Sequence, residues 1–103
     1  MQAYLPTKHG AVVAVCLTRE LNPRAPHVII CGKGPQIRAA ADLLAAQTYA
    51  IPVFLKRAVN RWEYQGLFRP TESFTSGPQL RQYIADSGRH MNDVSRVVLL
   101  EAM

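Results

Sequence analysis

Only two stretches of this chain read as helices, and each opens on a glycine–proline pair, Gly34–Pro35 and Gly77–Pro78. Proline lacks a backbone N–H, and its fixed φ suits the first helical position, where that donor would have no intrahelical partner. Behind Pro35, the side chains of Ile37, Ala40, Ala41 and Leu44 recur at helical spacing, which predicts a helix ending near Gln47. Arg38 and Asp42 stand four apart and can pair on its outer side. Around Pro78, the stretch 75–88 predicts a second helix, with Leu80, Tyr83 and Ile84 inward and Gly88 ending it.

Everything else that is ordered reads as strand. The apolar run 11–17 predicts one buried strand and 27–31 a second, separated by a loop that Pro23 and Pro26 punctuate. Residues 53–57 and 61–69 predict a hairpin around a short turn at Ala58, Val59 and Asn60, and 94–101 predicts the last strand. The order is β, β, α, β, β, α, β, with too few helices for a doubly wound sheet. The expected fold class is α+β: a small, curved, mostly antiparallel sheet or barrel with two packed helices. At 103 residues, without repeat or linker, the chain reads as a single domain over 1–103.

Charge narrows the partners. Twelve Lys and Arg against seven Asp and Glu leave a net charge of +5, and nine of the twelve are Arg. Arginine pairs with phosphate in bidentate fashion and stacks on flat rings, so the bias fits a nucleic-acid partner. No run approaches the roughly 18 apolar residues that cross a bilayer, and the first ten residues lack the pattern of a secretory signal. A cytoplasmic location and no membrane partner are expected. Two Cys and three scattered His offer no metal-ligand spacing. The seven acids are dispersed, and His90, Asp93 and Ser95 are neighbours in sequence only, so neither catalytic residues nor a cofactor are assigned.

In 61–69, strand alternation places Trp62, Tyr64 and Phe68 on one face, with a gap at Gly66. Such a row serves either as core or as a surface on which a base stacks; alternation with charged residues favours core. Gly66 marks a bulge or a close backbone approach. Lys56, Arg57 and Arg61 flank the hairpin turn and are candidates to hold phosphates.

The stretch Tyr64–Phe68 resembles the Tyr-Asp-Gly-x-Tyr signature of the SRA (YDG) domains, members of the PUA-like superfamily alongside the EVE, YTH and ASCH modules. Tyr64 and Gly66 match, Phe68 takes the second tyrosine position, and Gln65 stands in place of the aspartate. Pro52, Val53, Leu55 and Arg57 resemble the strand that precedes the signature, and 27–47 resembles the strand, glycine-rich turn and helix before it. The resemblance covers about 27–101 and implies a reader of DNA carrying a modified base, often flipped into a pocket. In restriction and defence systems a separate nuclease partner then cuts. Related PUA-like modules bind RNA. A protein-interaction or inhibitor module, with the basic hairpin end against an acidic partner, is a further reading.

Under the nucleic-acid reading, a base would lie between the sheet and the loop at 18–27. Arg19 and Arg24 would make backbone or groove contacts there, and Asn22 a base-edge hydrogen bond. Lys33, in the turn before the first helix, offers an anion contact beside that helix's N-terminus or is part of a plain tight turn.

Overall fold

A computed structural model describes residues 5–103. In chain order its elements are β1 (Thr7–Lys8), β2 (Ala11–Val12), β3 (Val15–Leu17), β4 (Val28–Gly32), α1 (Pro35–Ala46), β5 (Ile51–Ala58), β6 (Arg61–Phe74), α2 (Pro78–Ser87), a 3-10 turn (Met91–Asp93) and β7 (Val94–Ala102). Five strands form one sheet in the order β3-β5-β6-β7-β4, antiparallel except where β3 runs parallel to β5. The fold is α+β, but it is not a barrel: β3 and β4 end the sheet at opposite edges and do not pair. Among the described residues no helix is long and apolar enough to cross a membrane.

The two faces of the sheet are covered unequally. On the inner face, Ala40, Ala41 and Leu44 of α1 pack on Val15, Leu17, Ile29, Cys31, Val53, Leu55, Phe68, Val98 and Leu100. On the outer face, Leu80 and Ile84 of α2 pack only on Val28, Ile30, Val94 and Val97, with Phe74 and Leu99 beside them. Covered on both sides, β4 has all five residues buried. Among the described residues no helix covers the outer face of β3, β5 and the first half of β6.

Two expectations are corrected here. The run 11–17 is two strands, because His9 and Gly10, at φ 53° and 76°, turn β1 back onto β2, while β3 joins the main sheet. The Gln47 amide fastens this hairpin to the end of α1, accepting from the Val12 N–H (2.6 Å) and donating to the Val12 carbonyl (3.1 Å). The fourth strand of the sequence pattern runs through Pro70 to Phe74; a register shift between Pro70 and Glu72 accommodates the residue that cannot donate. The second helix opens on Pro78 as expected, with Gly77 at its cap.

Candidate nucleic-acid interface

The hairpin β5–β6 decides which aromatic rings meet solvent. In β5, Ile51, Val53 and Leu55 enter the inner core, so Pro52, Phe54 and Lys56 point outward. Opposite them the register runs Ile51–Phe68, Pro52–Leu67 and Val53–Gly66, then jumps to Phe54–Tyr64, Leu55–Glu63 and Lys56–Trp62. Gln65 is the extra residue of a bulge, and Gly66 supports it at φ 113°. One inserted residue reverses the facing of all that follows. Phe68 therefore lies in the core, 4% exposed, while Trp62 and Tyr64 stand on the outer face, 39% and 55% exposed. The expected single aromatic row does not exist, and core is the wrong assignment for two of its three members.

On this open patch Tyr64 and Phe54 lie with ring centroids 5.5 Å apart, tilted by 47°. Cys16 pairs beside Phe54 from β3, Lys56 faces Trp62 across the hairpin, and Leu67 and Pro52 continue the surface. Among the described residues no carboxylate lies within ion-pair distance of Lys56 or of Arg61, the latter exposed at the turn. Phe54 is the residue that sequence reasoning missed. Its signal was present, since it alternates with Val53 and Leu55, but only the sheet's uncovered half gives the alternation meaning.

The other predicted site residues divide among three places. Arg57 faces inward beyond Leu55 and donates to Glu63 at 2.5 Å, and the Gln65 amide donates to the same carboxylate at 3.0 Å. Hydrogen bonds from Arg57 and then Gln65 hold the Glu63 carboxyl down at about 2, with the Arg19 charge adding to the effect. Arg19 itself is exposed in the turn that follows β3. Arg24 lies 5.3 Å above the Tyr83 ring of α2, a cation–π contact on the covered half of the outer face. Lys33 sits across the sheet, in an open cleft shared with Arg89, His90 and Asn92.

Asn22 is not a base contact. It is fully buried; its Oδ1 accepts from the Ile30 N–H at 2.8 Å and its Nδ2 donates to the Thr18 carbonyl at 3.2 Å. Arg89 completes the arrangement by donating from Nη1 to the Ile30 carbonyl at 2.7 Å. Two side chains thus satisfy the outward backbone groups of an edge strand, which would otherwise invite pairing with another chain. The loop at 18–27 is spent on closing this edge. The crevice between it, β4 and α2 has a volume of about 10 Å³, room for roughly one water molecule and none for a base.

Neither cysteine is reactive, and Cys31 lies in the inner core. Burial pushes the Cys31 thiol up to about 12 and raises that of Cys16, which keeps both largely protonated at neutral pH. Among the described residues no three His, Cys, Asp or Glu side chains gather where a metal could be held. Compared with protein-family models, curated proteins and solved structures, the chain has no match.

Proposed function

We propose that this chain is a PUA-like, SRA-related nucleic-acid-binding module that offers the outer face of β5–β6 to bases and the Lys56–Arg61 end of the hairpin to phosphates. The observation that carries the reading is the pair Trp62 and Tyr64, exposed on the face that also carries Phe54, with a lysine across the hairpin that no carboxylate among the described residues pairs. Stacking on an aromatic side chain is worth about 1–3 kcal/mol per base, and the net charge of +5 supplies the long-range attraction. Arg57 contributes less than expected because Glu63 already neutralises it. The module supplies recognition for a partner nuclease or defence activity. DNA bearing a modified base is the first candidate ligand and RNA the alternative.

The test is an anisotropy titration at low salt. The panel holds unmodified duplex, duplex with methylated, hydroxymethylated, glucosylated or phosphorothioate groups, single-stranded DNA, and RNA. Binding to at least one is expected, and Lys56→Ala and Arg61→Ala should each reduce the salt slope by about one. Absence of binding to every member of the panel rejects the proposal.

A further inference from the structure

The shape of the patch narrows the ligand, provided that it takes bases as proposed above. We infer that its substrate is a single strand, with neighbouring bases laid on Trp62 and Tyr64, and not a base flipped out of a duplex. A flipped base needs a snug pocket to offset what it loses on leaving the stack. The crevice behind the 18–27 loop is filled, and the patch is a one-sided surface. A single strand has no pairing to give up, so one-sided stacking is enough to hold it.

Spacing leads to the same ligand. Trp62 and Tyr64 stand two residues apart on one strand, so their rings are carried ~6.7 Å apart along it. Successive bases in a duplex are separated by about 3.4 Å. Two adjacent bases occupy both rings only if they part from each other, which a single strand does freely. The surroundings suit a chain passing through: β7 begins to pair with β6 only at Phe68, so the side of β6 beyond Trp62 and Tyr64 carries no further strand. Lys56 lies in the patch, facing Trp62, where it can meet a phosphate, and Arg61 stands exposed at the hairpin turn, on the side of β6 to which Glu63 also alternates.

Trp62 is the chain's single tryptophan, so its fluorescence reports on the patch directly. The experiment titrates the full chain with a ten-nucleotide oligo-dT, a ten-nucleotide oligo-U and a duplex of equal length, reading anisotropy and tryptophan emission together. Expected are at least tenfold tighter binding of a single strand than of the duplex, quenching of Trp62, and a loss of about 5- to 150-fold on single strands for Tyr64→Ala. Trp62→Phe should retain most of the affinity and Trp62→Ala should not, with circular dichroism confirming that both fold. The thymine and uracil arms distinguish DNA from RNA. Duplex binding equal to or tighter than single-strand binding, or binding that leaves Trp62 emission unchanged, overturns the inference while the nucleic-acid reading stands. No binding in any arm overturns both.

Discussion

Replacing Asn22 by Leu should destabilise the domain while leaving its ligand affinity alone. The leucine fills the same space without a polar atom, so the Ile30 N–H loses its acceptor at a site closed to water. Leaving a buried donor unsatisfied costs about 1–3 kcal/mol, and loss of the second hydrogen bond adds roughly 0.5–1.5. The Thr18 carbonyl is partly spared, because it also accepts from the Asn22 backbone N–H at 3.0 Å. The sum is about 2–4 kcal/mol, a large part of the ~5–15 kcal/mol that holds a domain of this size. At about 4–8 °C per kcal/mol, the melting temperature should fall by roughly 8–32 °C. Urea unfolding followed by circular dichroism measures the change, and amide exchange at Ile30 should quicken with it. A loss below about 0.5 kcal/mol would refute the argument from the edge strand. So would a folded variant whose oligonucleotide affinity drops more than twofold, since that would make Asn22 a contact after all.

Two further outcomes follow from the hairpin. Gly66→Ala should cost about 1–3 kcal/mol, because φ 113° is a glycine conformation and no atom crowds the new Cβ, so backbone strain alone acts; equal stability in urea would show that the bulge does not need glycine. Glu63 has an ordinary value of 4.5 and is held at about 2 in the folded chain, so its contribution to stability is complete above about pH 4.5 and is lost as pH falls towards 2. Glu63→Gln should flatten the stability profile within that window, and by freeing Arg57 should tighten polyanion binding at neutral pH. An unchanged acid limb in unfolding titrations would contradict the pairing.

Much of the fold was readable because its signals are local. Pro35 and Pro78 start helices wherever the chain is placed, Gly88 ends one in the left-handed conformation, and Val59 and Asn60 turn the hairpin. The run 11–17 misled because apolarity does not say which strand is the partner: Val12 is buried under the end of α1 and Val15 against β5, while Val13 between them is 44% exposed. Asn22 looked available because a polar residue in a proline-rich loop normally faces water. Its burial depends on Ile30, eight residues on, needing a partner at the sheet's edge.

From the sequence alone came the order of elements from β4 onward, the α+β class, the basic hairpin and the presence of aromatic side chains in β6, all of them properties of residues within a few positions of one another. Tertiary structure alone decided which rings see solvent. Side chains alternate with a period of two, so a single residue inserted at Gln65 sends Phe68 inward and Trp62 outward. Whether the outward rings then form a surface or a core depended on how far α2 reaches across the sheet, and beyond β4 and β7 it meets only the far end of β6, at Phe74.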